Sequence, residues 1–331
     1  MGLINSKPKQ NYIINGDMTI AQRGTSFAAI ATAAYSLDRW QYGKSGSMVH
    51  TVSQSSDAPT SSQSGYNFLS SLDATVTTAQ VSIGVNDENF LRQSIEGYNF
   101  NKVAKQKPFT ISFWVKATVT GTYCVAFRNS GSDRSYIAEY SVNSGNTWEF
   151  KTLTIAASPS AGTWDYTNGI GLQVLFVMAA GTNRQTTAGS WQTGNFIASS
   201  NQVNAVGTIS NIFRITGVML NEGPSAQPFR LFGNSTTEEL NECLRYYEQT
   251  GVVSSSTTVI AGNSFTDIFP FKAFKRTTPT FVLSGNWYTS GGVPSTFPQT
   301  GTVTPWGFRG NIVAVATSVY ADIALNIDAE L

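Results

Sequence analysis

Trp164-Asp165-Tyr166 with Asn168 close behind, and Trp191-Gln192 with Asn195 after it, set aromatic rings beside amide and carboxylate groups in turn-rich sequence. That mixture suits sugar recognition. An aromatic face covers the apolar C–H side of a pyranose while amides and carboxylates bond its hydroxyls. Trp114 joins these candidates because it falls on the polar side of an alternating segment, Phe109 to Lys116. The competing expectation is packing, since a large β-sandwich buries tryptophans and an oligomer buries more between protomers.

Other chemistries find little support. His50 is the only histidine, so neither a His-based triad nor a His-rich metal site can be assembled, and a structural role is expected for it. Glycoside hydrolysis needs two carboxylates at a suitable separation. Asp73, Asp87, Glu88, Glu96, Asp133, Glu139, Glu149 and Asp165 are available, yet no motif surrounds any pair of them. Asp17 and Glu222 would approach if the first and last strands paired, but no acidic loop or EF-hand spacing accompanies them, so no metal and no cofactor is expected. Gly291-Gly292 lacks the Lys-Ser/Thr of a phosphate loop and reads as a turn. The expectation is a protein that is not an enzyme.

Composition narrows the partners. Only 12% of the residues are charged, and the net charge is +1. No global field draws the chain to nucleic acid or an anionic membrane. Lys102, Lys105 and Lys107 form the densest basic cluster, too thin for a nucleic-acid face. The longest apolar run, Leu172 to Ala180, is strand-sized, so no membrane insertion is expected. Met1 to Gln10 carries lysines without a following hydrophobic segment, unlike a signal peptide. Cys124 and Cys243 have no ligand spacing and read as buried free thiols.

The elements that must position the candidates are strands. Aromatics reach 12% and glycine numbers 29, with Ser, Thr and Asn filling the turns, a mixture that predicts an all-β fold. Phe109, Ile111, Phe113 and Val115 share one face of a strand, and Thr110, Ser112, Trp114 and Lys116 the other. A meander follows through Tyr123 to Arg128 and Tyr136 to Val142, then Trp148 to Ile155 and a central strand from Leu172 to Met178. Thr51 to Ser64 reads as a surface excursion. One helix interrupts this pattern. Ser235 and Glu238 make a capping box, Leu240, Cys243, Leu244 and Tyr247 fall at helical spacing, and Gly251 caps the end, predicting a helix over 236–249 with those side chains inward. Strands resume over 252–260, 265–274, 280–283, 311–318 and 322–327. The expected division is an N-terminal arm over 1–10, a β-sandwich over 11–232, a helix and linker over 233–251, and a smaller β-domain over 252–331.

Several separated phrases carry a resemblance. Asn15-Gly16-Asp17-Met18-Thr19-Ile20-Ala21-Gln22-Arg23-Gly24-Thr25 with Leu37-Asp38-Arg39-Trp40, Phe109 to Ala117, Gly121 to Asn129, Trp191 to Phe196 and Ile215 to Leu220 are similar, in that order, to phrases of tailed-bacteriophage and prophage fibre proteins. Glu242 to Glu248 continues the similarity. The resemblance spans roughly residues 10 to 250. It implies a jelly roll related to carbohydrate-binding modules, followed by a short helix, in a homotrimeric virion appendage made in the host cytoplasm and released by lysis. It also implies contact with other virion proteins and with host surface polysaccharide. The family's long N-terminal shaft has no counterpart in these phrases, which leaves tail and head positions open. Three functions are therefore expected in order: a noncatalytic receptor-binding fibre, a structural virion protein without ligand (head fibre, capsid decoration or tail adaptor), and a polysaccharide-degrading enzyme.

Overall fold

The computed structural model describes residues 11–103, 106–250, 253–258, 264–283, 288–289, 300–313 and 318–331. The expected N-terminal arm, Gly251 and the Gly291-Gly292 turn lie outside these residues. The chain divides into compact units, Met1–Glu239 with Leu331, and Leu240–Glu330.

The first unit is built from β1 (Ser26–Phe27), β2 (Gln41–Ser45), β3 (Val49–Ser55), β4 (Ser71–Thr78), β5 (Glu88–Glu96), β6 (Phe109–Ala117), β7 (Gly121–Arg128), β8 (Arg134–Val142), β9 (Glu149–Ile155), β10 (Ile170–Ala180), β11 (Trp191–Thr193) and β12 (Ile212–Glu222). They form two six-stranded antiparallel sheets, ordered β1-β3-β4-β12-β6-β9 and β11-β8-β7-β10-β5-β2. The chain crosses repeatedly between the sheets, which gives a jelly-roll sandwich. Short helices α1 (Ser61–Ser64) and α2 (Gly97–Val103) sit in the connections.

Period-2 alternation explains the core. Phe109, Ile111, Phe113 and Val115 of β6 are all fully buried, and they meet Tyr123, Val125 and Phe127 of β7 and Phe176 of β10. Phe113 contacts Phe176 edge-on at 5.0 Å and Tyr140 at 5.1 Å. The second sheet is buried on its other face as well. Cys124, Ala126, Ile137, Leu175 and Val177 pack there with Ile197 and Ala198 from the segment after β11. That second layer is why β10 reads as a continuous apolar run and lies between β5 and β7. No comparable apolar layer covers the outer face of the first sheet among the described residues, where β6 turns out Thr110, Ser112, Trp114 and Lys116.

The opening and closing phrases meet, though not as paired strands. Residues 11–20 form an irregular segment that docks on β12 through Tyr12 N–H to Leu220 O at 3.0 Å and Val218 N–H to Gly16 O at 2.9 Å. A Cβ on Gly16 would lie 2.2 Å from the Val218 carbonyl oxygen, so the approach requires glycine. Asn11 receives the Leu220 N–H at 3.0 Å and gives a hydrogen bond to Val218 O at 3.1 Å. Asn15 bonds the backbone of Ile20 and Asp38 and takes the Trp40 indole N–H on its carbonyl at 3.0 Å. Buried amides thus do the work that a strand ladder would otherwise do. Asp17 caps Thr19, while Glu222 pairs with Lys107 at 3.2 Å.

His50 is fully buried on β3 with Nδ1 2.8 Å from the Tyr42 hydroxyl. Burial, aided by the Lys44 charge, pushes its pKa down from 6.5 to about 4. In that interval the unfolded chain binds a proton that the native chain does not, so the stability contributed by neutral His50 falls as pH drops from 6.5 to about 4. The His50 ring signals in an NMR titration should stay fixed between about pH 5 and 8, the range in which an ordinary histidine titrates. Movement across that range would mean the ring is solvated.

Two expectations for local structure are corrected. The Ser/Thr/Gln-rich stretch from Thr51 is not all excursion, because Val49–Ser55 pairs with β4 and β1 and only the part after Ser55 leaves the sheet. The helix α3 is Thr236–Leu244, ending five residues earlier than predicted, with Leu240 37% exposed while Cys243 and Leu244 are buried. Its N-terminus is capped by Ser235 Oγ, which accepts the Glu238 N–H at 3.3 Å. The helix ends because the chain from Tyr247 is claimed by a sheet: Tyr247, buried as expected, pairs with Asp328 and not with the helix.

The second unit contains β13 (Tyr247–Gln249), β14 (Val253–Thr258), β15 (Ser264–Pro270), β16 (Thr280–Leu283), β17 (Tyr288–Thr289), β18 (Thr300–Thr304), β19 (Gly307–Val313), β20 (Ser318–Ile323) and β21 (Leu325–Asp328). These make three-stranded antiparallel sheets ordered β13-β21-β16, β14-β20-β17 and β15-β19-β18. The strands expected at 265–274 and 311–318 are displaced, the first ending at Pro270 and the second beginning at Gly307. Phe269, Phe308, Leu325 and Ile327 form a small core, with the first two rings stacked at 4.8 Å.

Candidate functional site

The eight site residues predicted from sequence separate into two places. Trp164, Tyr166 and Trp191 come together over α2. Trp164 and Tyr166 stack on the buried Phe100 ring at 5.2 and 6.0 Å, and Trp191 meets Trp164 and Tyr136 edge-on, each at 5.6 Å. Their indole N–H groups are already used, Trp164 on Ala161 O at 3.0 Å and Trp191 on Ala156 O at 2.9 Å. All three rings are half-buried and pack on the main core.

The polar candidates around them hold their own loops. Asp165 accepts both the N–H and the hydroxyl of Thr167, at 2.6 and 2.7 Å, and Gln192 donates to Ser190 Oγ at 2.8 Å. Asn168 lies in the same loop as Asp165. Asn195 turns away from the rings and accepts Arg128 Nη1 at 2.5 Å. This cluster is a packed corner whose faces and donors serve the loops themselves.

Trp114 stands apart, on the outer face of the first sheet. Opposite it in the ladder are Phe150 on β9 and Thr216 on β12. Trp114 and Phe150 are 5.4 Å apart at 48°, and Phe150 is 50% exposed, an unusual position for a phenyl ring. They line a pocket of about 260 Å³ with Phe68, Phe229, Ser112, Gln63, Ser64, Gln227, Pro228 and Gly217. Phe68 and Phe229 form its wall, 5.0 Å apart, and Tyr66 packs on both at 4.7 and 4.8 Å. Gly217 has a φ of +60° at a β-bulge in β12, and a Cβ there would meet the Phe68 ring at 2.6 Å. The bulge and the missing side chain let the wall close on the sheet.

Beside this pocket lies an ion network. Asp57 reaches from the loop after β3 to accept Lys116 Nζ at 2.7 Å, Trp148 Nε1 at 2.9 Å and Arg214 Nη1, while Arg214 Nη2 reaches Asp73 at 3.0 Å. Burial pushes the Asp57 carboxyl up, but the Lys116 and Trp148 hydrogen bonds and the Lys116 and Arg214 charges hold it below its usual range. For Asp73 burial outweighs the Arg214 bond and charge, and its pKa is raised.

Of the pocket's lining, the sequence singled out Trp114 alone. Phe150 had a readable signal, because Glu149, Lys151 and Leu153 alternate with Phe150 and Thr152 along β9. The wall residues had none, since they come from the end of α1 with the loop after it, 63–68, and from 227–229, stretches whose folding back depends on tertiary contacts. The carboxylates weighed for hydrolysis serve local bonds: Asp87 holds Gly84 and Gln80, Glu88 pairs with Arg184, Asp133 ties Asn129 to Thr163, Glu139 accepts Asn201, and Glu149 binds Lys151. A second, polar pocket of about 480 Å³ includes Glu139, Thr186, Ser199 and Asn201 and has no aromatic wall. Among the described residues no three His, Cys, Asp or Glu side chains converge as a metal site, and no helix is long and apolar enough to cross a membrane. Cys124 and Cys243 are buried free thiols.

No protein-family model matches the chain, and no curated protein matches it. Among solved structures it is similar to a putative sugar binding protein from Bacteroides thetaiotaomicron, at 10% identity and a TM-score of 0.39, covering 65% of this chain and 100% of that one. It is also similar to TmCBM61 in complex with β-1,4-galactotriose, at 10% identity and a TM-score of 0.32, covering 65% and 99%. A further similar structure is the enzymatically active domain of tailspike protein 4 of bacteriophage CBA120, at 16% identity and a TM-score of 0.35 over 64% of this chain. The present chain spans 21% of that tailspike chain.

Proposed function

We propose that this protein is a noncatalytic glycan-binding component of a phage virion, a fibre or receptor-binding protein, and that glycan sits in the Trp114–Phe150 pocket. The observation that carries the binding site is the pocket in which the half-buried Trp114 and the exposed Phe150 face Phe68 and Phe229, with Gln63, Gln227 and Ser112 at hand for hydroxyls. A sugar stacks on such rings by its C–H face and bonds the amides by its edge. The virion role, homotrimeric assembly, contact with other virion proteins and release by lysis rest on the fibre-like phrases of the sequence.

Purified protein should bind host cells and their extracted surface polysaccharide. Trp114→Ala should weaken single-site binding by about 1–2 kcal/mol, roughly five- to thirtyfold. A trimer would magnify that loss on cells through avidity. Trp164→Ala and Trp191→Ala should instead lower thermal stability with smaller effects on affinity, because those rings pack on each other and on Phe100. That mutual packing also favours a second reading, a structural virion protein without ligand. Wild type that binds neither cells nor polysaccharide would make it the better one.

A further inference from the structure

Resting on the assignment of the Trp114–Phe150 pocket to glycan, we propose that Asp57 sets the charge class of the ligand: by occupying Lys116 and Arg214 it makes the site select uncharged polysaccharide over acidic polysaccharide.

Lys116 follows Trp114 by two residues on the same face of β6, a separation of roughly 7 Å. Arg214 is its ladder partner on β12, and Asp73 is the partner of Arg214 on β4. The row beside the aromatic pair therefore holds an ammonium and a guanidinium, the groups best suited to grip a uronic or sialic carboxylate. Asp57 fills that place first. One of its oxygens takes both cations and the other takes the Trp148 indole N–H, so the carboxylate is held from three sides. With Asp73 counted, two positive and two negative charges cancel, and Lys116 and Arg214 are each only 18% exposed. An acidic glycan reaching the pocket would meet no unpaired cation there and would have to displace a carboxylate already bonded to them.

The position of Asp57 in the chain also matters. Ser71 Oγ bonds the Asp57 carbonyl at 2.6 Å, and the segment it anchors runs on through α1 to Gln63, Ser64 and Phe68 of the pocket. Asp57 thus holds the loop that supplies part of the wall while it neutralises the floor beside it.

The test uses surface polysaccharide from a sensitive host, separated on anion-exchange resin into uncharged and acidic fractions. Wild type should bind the uncharged fraction with little dependence on salt. Asp57→Asn, nearly isosteric, should bind the acidic fraction at least about tenfold more tightly than wild type does, and that gain should vanish at high salt. Asp73→Asn asks the same question of the other carboxylate if Asp57→Asn does not fold. Wild type that prefers the acidic fraction would overturn the proposal while leaving glycan binding intact, as would folded variants that gain no acidic binding. Wild type that binds neither fraction would refute the glycan site itself, and this proposal with it.

Discussion

Trp40→Ala should lower the stability of the sandwich by about 3–5 kcal/mol, the range for deleting a large buried aromatic ring. Trp40 is fully buried, lies 6.0 Å from Phe176 in the centre of the core, and gives its N–H to the Asn15 carbonyl at 3.0 Å. Its loss would leave a cavity and also remove one of the two hydrogen bonds on the Asn15 carbonyl, which would keep only the Met18 N–H at 3.2 Å. Urea unfolding followed by near-ultraviolet circular dichroism measures the effect. A loss below about 1 kcal/mol, typical of a surface change, would mean that the Asp38-Arg39-Trp40 phrase does not anchor the core.

Glu248→Ala should be comparably severe for the C-terminal unit. Lys275 and Glu248 are 0% and 1% exposed and 2.7 Å apart, and Lys275 Nζ also donates to Leu244 O at 2.5 Å. Glu248 in turn accepts the Lys272 N–H at 3.1 Å. Burial pushes the Lys275 pKa down, and the Glu248 bond and charge oppose that shift. Removing the carboxylate leaves a buried cation without its counter-ion, which typically costs about 3–5 kcal/mol. Pairing the change with Lys275→Met should restore part of the loss, since it removes the uncompensated buried cation. Calorimetry of the single and double variants separates the cases, and equal melting temperatures for wild type and Glu248→Ala would contradict the buried pair.

What was legible in the sequence follows from what sets each feature. The β6 alternation and the apolar β10 run are decided by burial on a pleated sheet, so they could be read directly. The phrases Asn15 to Thr25 and Ile215 to Leu220 were recognisable by resemblance, but their contact through Asn11, Asn15 and Gly16 replaces a strand ladder and leaves no period to read. α3 was predicted five residues too long because the helical spacing of Leu240, Cys243, Leu244 and Tyr247 continues into a segment that a sheet claims. For the site, composition pointed to Trp164, Tyr166 and Trp191 because polar residues surround them. In three dimensions these rings turn on each other, with Asp165 and Gln192 bonded inside their loops. Trp114 was legible as a candidate from its place on the polar side of β6, but only the strand register brings Phe150 beside it. Asp57 gave no signal at all, since its partners are 59 and 157 residues away.

The central claim is tested most directly by a crystal structure of the protein soaked with oligosaccharides cut from the surface polysaccharide of a sensitive host. A sugar ring should lie along Trp114 and Phe150, with hydroxyls bonded to Gln63, Gln227 or Ser112 and no carboxylate at Lys116. A saccharide on the Trp164–Trp191 corner, in the polar pocket at Glu139, or nowhere on the sandwich would contradict it.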